Sequence, residues 1–171
     1  MIDTVGVYIN ADDIKRTIKC TYLEAAQEAE KMRNNCILEH KDFTFETVLS
    51  TERNLNLLKK AKENGYFIKS FFVLTKSPQV NVGRVKIRTL SGGHDVPKDK
   101  IISRYERSLK ILPELIKVSD ICHVYDNTKS PTRIFSKKAS YFRAWENEFF
   151  NLSDIINLTG QEYFDLVYIK S

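Results

Sequence analysis

Three groups of residues have types and spacing that could do chemistry. The largest is Arg84 to Leu109, RVKIRTLSGGHDVPKDKIISRYERSL. Arg84, Lys86 and Arg88 recur along a first arm, and Gly92-Gly93-His94-Asp95-Val96-Pro97 forms a glycine-broken turn. On a second arm Lys100, Arg104 and Arg107 follow at steps of four and three, so a helix would place them on one face. The stretch reads as a basic helical hairpin. Cations on two arms joined by a flexible turn suit closure over a polyphosphate. The ordinary alternative is a hairpin whose charges simply face water. The second group is Asp12-Asp13, just after the apolar run Val5–Asn10. Carboxylates beyond the carboxyl end of a strand are where open α/β sheets put their ligands. An aspartate that caps a helix starting at Ile14 is the competing explanation. The third group is Glu46 and Thr47, at the end of FTFETV.

The elements that must position these groups follow from periodicity. VGVYIN, FTFETV, FIKSFFVLT and SDICHVYD are β-branched and aromatic runs, and each reads as a strand. Tyr22 to Leu38 carries apolar residues at helical spacing. A further helix, Glu52 to Asn64, stops at Asn64-Gly65. Ser77-Pro78 opens the first arm of the hairpin, with proline in the first turn. Strands and helices alternate as far as Asp126, which predicts an α/β fold: a mostly parallel sheet with helices on both faces. Beyond Arg133 the pattern weakens. Tyr141, Phe142, Trp145, Phe149 and Phe150 form an aromatic cluster at helical spacing, read as core. A short helix over Leu152–Leu158 and a tail strand within Tyr163–Ile169 complete the chain.

Composition narrows the class. With 171 residues, 42% hydrophobic and 29% charged, one globular domain is expected. The net charge of +5 favours an anionic ligand or partner. Cys20, Cys36 and Cys122 lie far apart with no metal-ligand spacing, so reduced thiols, no metal cage and a cytoplasmic protein are expected. No apolar run is long enough for a membrane span. Nucleic acid is an unlikely partner on this reading. The cations cluster at the hairpin and lack the aromatic interleaving of single-strand binders.

Taken together, YINADDI, FTFETVLS, AKENGYFIKSFFVL, the GGHDVP turn with its basic helix, and VYDNT resemble the zeta-toxin family of P-loop kinases. The likeness is to the branch described as predicted ATPases of the zeta-toxin type. It runs from about Val7 to about Phe135. It implies a nucleotide-kinase-like fold and ATP-dependent phosphorylation, with Mg²⁺, of a hydroxyl on a nucleotide-sugar such as a UDP-amino-sugar. Asp12 would match the catalytic aspartate, accepting the proton of the substrate hydroxyl. Glu46 and Thr47 would lie on the substrate side. Arg84 or Arg88 on the first arm, and Arg104 on the second, would match the lid arginines that stabilise the transferred phosphoryl. His94 sits where some relatives carry another arginine. Asn127, with Arg133 nearby, would hold the adenine side. An antitoxin is the implied protein partner.

One departure bears on all of this. The 171 residues contain no GxxxxGK[ST]. The family's first strand, its phosphate loop and the following helix have no counterpart here. The loop's amides, lysine and hydroxyl cradle the phosphates and the metal, and lid cations cannot replace them. The expectation is therefore one truncated zeta-toxin-like domain over residues 1–171, with a core at about 5–135 and an aromatic extension over 136–171. ATP binding by this chain is expected to be negligible. The alternative is a non-catalytic nucleotide-sugar-binding or dimerising remnant. In the family the absent strand lies between the FTFET and FIKSFFVLT strands, so their edges are expected to pair directly, to be filled by another segment, or to mediate self-association.

Overall fold

The structure is a computed structural model that describes residues 4–93 and 95–169; His94 lies outside the described residues. Its contacts group into two compact units, Met1–Val48 and Leu49–Ser171, where the sequence reading expected one domain.

The first unit is built from β1 (Val7–Ile9), α1 (Ala11–Ile18), α2 (Tyr22–Leu38) and β2 (Phe43–Phe45). β1 and β2 pair in parallel, Val7 opposite Phe43 and Ile9 opposite Phe45. Gly6 makes this pairing possible. Its φ is +64°, and a Cβ there would lie 1.9 Å from the Asp42 carbonyl oxygen. α1 starts at Ala11 and not at Ile14, because the Asn10 side chain accepts from the Asp12 N–H at 2.8 Å and caps the first turn. α2 opens with a capping box between Thr21 and Glu24. Ile9, Ala29 and Cys36 form the buried centre, with Ile14, Met32, Phe43 and Phe45 packed around them.

The second unit contains α3 (Glu52–Glu63), β3 (Lys69–Leu74), α4 (Pro78–Leu90), α5 (Lys98–Val118), β4 (Ile121–Asp126), β5 (Thr132–Lys138), β6 (Tyr141–Trp145), α6 (Leu152–Thr159) and β7 (Leu166–Tyr168). Its sheet has the order β3-β4-β5-β6-β7. β3 and β4 are parallel, as are β6 and β7, but β4–β5 and β5–β6 are antiparallel. The α/β class therefore holds, while the sheet is mixed and not mostly parallel. The reason is local: the turns after Asp126 and Lys138 are too short for a crossover helix, so the chain can only double back.

Helices on both faces were expected, yet α3, α5 and α6 pack together on one face. Leu58, Leu112, Leu115, Ile116 and Ile155 meet Phe72, Leu74, Val124, Phe135 and Ala144 there. Lys137 reaches the carbonyls of Ile116 and Lys117 at 2.7 and 3.1 Å and caps the end of α5. The aromatic cluster is a correction too. Tyr141 to Trp145 is a strand, with Phe142 and Ala144 turned to the core and Tyr141, Arg143 and Trp145 to the opposite face. Phe150 is buried in the core as read, but from the loop before α6.

Among the described residues β2 pairs with β1 and β3 with β4, and no pairing joins the two strands that flank the expected gap. The tail strand β7 extends the sheet at β6 and does not fill that gap. None of the three cysteines is in a disulfide. No described helix is long and apolar enough to cross a membrane.

Candidate functional site

The carboxyl ends of β3 and β4, under the base of the α4–α5 hairpin, hold a cluster of hydrogen-bonded polar groups. Parallel neighbours end together, so Leu74 lies opposite Asp126 and both strands deliver their next residues to the same place. Asp126 is 2% exposed. One of its carboxylate oxygens accepts from the Thr128 N–H at 2.8 Å and the Thr128 hydroxyl at 2.5 Å. The other accepts from Asn147 Nδ2 at 2.8 Å. Asn147 Oδ1 in turn receives the Phe149 and Phe150 N–H groups at 2.9 and 2.8 Å. A carboxylate so deep is kept only with its acceptor sites satisfied, and here they are. Asp126 ties the β4–β5 turn to the β6–α6 loop and is structural.

Around it stand groups that could meet a ligand. Tyr105 from α5 donates to the Thr75 carbonyl at 2.7 Å. Burial, with Asp126 nearby, pushes its phenol above the usual range, so it stays a neutral donor. The Lys76 N–H donates to the Thr128 hydroxyl at 2.8 Å, and its ammonium reaches Asp154 at 3.1 Å over the Phe150 ring. Arg84 Nη2 donates to the carbonyls of Asn127 and Thr128 at 2.7 and 3.2 Å.

The helical hairpin exists as read. α4 ends in Ser91-Gly92, with Gly92 at φ +85°. Gly93 turns back to donate its N–H to the Arg88 carbonyl at 2.9 Å, and a Cβ there would come within 2.8 Å of that oxygen. Arg104 and Arg107 are exposed on α5. Between the arms Val82, Val85, Leu90, Val96 and Ile101 line an open cleft of about 300 Å³.

Of the predicted residues in this unit, the structure brings Arg84 onto Asn127, and it places Arg88 one helical turn further along the arm. Arg133 does not join the strand-end cluster. It lies on β5 with its guanidinium over Trp145, 4.6 Å from the ring centre, on the sheet face away from α5. The reason is a bulge: the register shifts between Val124 and Tyr125, so Arg133 lies opposite Tyr125. The network of Asp126, Tyr105 and Asn147 around these strand ends was not anticipated. Asp126-Asn127-Thr128 did carry a local signal, an aspartate bonding the N–H two residues on.

The first unit holds the predicted acids. Ile9 and Phe45 are paired strand ends, so Asp12 and Glu46 both leave the same end of the β1–β2 sheet. Asp12 is in the first turn of α1, and Asp13 pairs with Arg16. Asp12, Glu46 and Thr47 are all exposed. Among the described residues no cluster of His, Cys, Asp or Glu could hold a metal ion.

Comparison with known proteins adds one relative. The chain is similar to an uncharacterized protein from Haemophilus influenzae, 29% identical over 108 residues, which covers 60% of this chain and 77% of that one. No family model and no solved structure matches the chain.

Proposed function

We propose that this chain carries the lid and acceptor side of a zeta-toxin-like phosphotransferase acting on a hydroxyl of a nucleotide-sugar. One observation supports the reading most: Arg84, from the first arm of the basic hairpin, is bonded to the turn at Asn127 and Thr128, at the carboxyl ends of two parallel strands. A cationic arm seated at strand ends is where an α/β sheet binds a phosphorylated ligand. In this reading Arg84, Arg88 and Arg104 meet phosphate, and Asn127 lies beside the base. The roles of Asp12 as the base and of Glu46 and Thr47 at the acceptor rest on the family resemblance alone.

Mg-ATP does not fit the residues present. The chain has no glycine-lysine amide cradle, and its described residues include no carboxylate cluster for a metal. No transfer step is therefore derived. The same observation favours a second reading, a non-catalytic nucleotide-sugar-binding module, alone or with an antitoxin or a second copy.

Calorimetric titration of the chain with UDP-N-acetylglucosamine and, separately, with Mg-ATP tests both. The nucleotide-sugar is expected to bind, Arg84→Ala to weaken it about tenfold, and Mg-ATP to show no micromolar binding. Failure of the sugar nucleotide to bind at millimolar concentration, or an Arg84→Ala variant that binds as well as the parent, would overturn the site.

A further inference from the structure

The sheet face opposite α5 carries no helix among the described residues of its unit, and its composition is unusual. Alternation assigns it Lys69 and Phe71 on β3, His123 and Tyr125 on β4, Arg133 and Lys138 on β5, Arg143 and Trp145 on β6, and Tyr168 on β7, with the neutral Val73, Ile121, Ser136, Tyr141 and Leu166 among them. Every strand contributes an aromatic ring or a cation, and none of the strand residues on this face is acidic. The rings and cations are layered. The Arg133 guanidinium lies over Trp145, and the Trp145 indole stacks on Tyr168, with ring centres 5.5 Å apart and planes 4° from parallel. Lys69 lies over Phe71 at 5.1 Å, and Phe71 leans on His123 at 5.5 Å.

Lys69, Arg133, Lys138, Arg143 and Tyr168 are exposed. From β3 to β7 the platform spans four inter-strand steps, roughly 19 Å. His123 is held toward its neutral form by burial and then by Arg133 and Lys69, which marks a positive potential at the sheet's centre.

We propose that this face binds single-stranded nucleic acid, with bases stacking on the Arg133–Trp145–Tyr168 layer and phosphates meeting Lys69, Lys138 and Arg143. Stacking on aromatic and guanidinium planes is tolerant of sequence, and a face whose strand residues carry cations and no carboxylate follows the backbone. The linear sequence hides this arrangement, because the cations and rings that strand pairing interleaves are as much as a hundred residues apart. The face lies across the sheet from α5, so the inference does not depend on the hairpin site.

The test uses the full chain, 12-residue oligo(U) and oligo(dT), fluorescence anisotropy of the labelled oligonucleotide, and emission of Trp145, the chain's one tryptophan. Saturable binding at 50 mM salt with quenched Trp145 emission is expected. Affinity should fall with salt at about −0.7 logarithmic units per phosphate contacted. Arg133→Ala with Arg143→Ala should weaken binding at least tenfold and lower the salt slope. Tyr168→Ala should weaken it about tenfold with the slope unchanged. Arg107→Ala with Lys110→Ala removes the same charge from exposed positions on α5 and should stay within twofold. A stronger effect on oligo(U) than on oligo(dT) would assign RNA, and the reverse DNA. Absence of saturable binding to either oligonucleotide, or an equal loss in the α5 variant, would overturn the proposal.

Discussion

Asp12 and Asp126 stand at comparable places, at or just beyond the carboxyl end of a parallel strand, one in each unit. Their surroundings oppose each other. Asp12 is in the first turn of α1 with its carboxylate in solvent, and the capping there is done by Asn10. Asp126 is buried and fully engaged by Thr128 and Asn147. Topology alone therefore does not make a strand-end acid chemical. An acid free to accept a substrate proton must keep lone pairs available, and Asp126 has spent its own on two loops. An exposed acid contributes little to stability and is open to a functional role. A buried one is fixed by the fold.

Three experiments break or sharpen this contrast. The largest effect is expected for Asp126→Ala. It would strand the Thr128 and Asn147 donors in a buried place and cost about 3 kcal/mol, or roughly 6–12 °C in melting temperature. A loss below about 1 kcal/mol in a thermal melt would show that the tie between the two loops is not structural.

A smaller effect is expected at Asp120, which lies between these extremes. Burial works to raise its pKa, but the Lys62 ammonium at 2.5 Å and the Ile68 N–H at 2.8 Å outweigh it, and the net shift is downward. Its folded pKa is thus below its unfolded one. The contribution is complete above about pH 4 and is lost as pH falls through the folded value. Lys62→Met should shrink the difference in urea midpoint between pH 7 and pH 3, and an unchanged difference would remove the ion pair from acid stability.

The smallest effect is expected for Asp12→Ala, within about 0.5 kcal/mol by chemical denaturation, as for an exposed residue whose helix is capped by a neighbour. A loss above 1 kcal/mol would make Asp12 a structural residue like Asp126.

Much of the helical content was legible, because its signals are local. Asn64 and Gly65 end α3, Pro78 starts α4, and the glycine pair separates α4 from α5. The hairpin arms and the strand-end positions of Asp12 and Glu46 were legible for the same reason. The aromatic segment after Arg133 was not. Tyr141, Phe142 and Trp145 fit a helical period better than a two-residue one, and only pairing with β5 made the segment a strand, with Phe142 on one face and Tyr141 and Trp145 on the other.

By itself the sequence determined which segments would be helical, where the basic hairpin would turn, and that no Gly-Lys phosphate loop lies within these residues. Tertiary structure alone decided that the second sheet is mixed, that Asp126 is locked while Asp12 is exposed, and that Arg133 leaves the strand ends for Trp145. The physical reason is range. Caps, turns and periodicity act over a few residues, whereas burial and strand register arise from partners far apart in the chain, which no short stretch encodes.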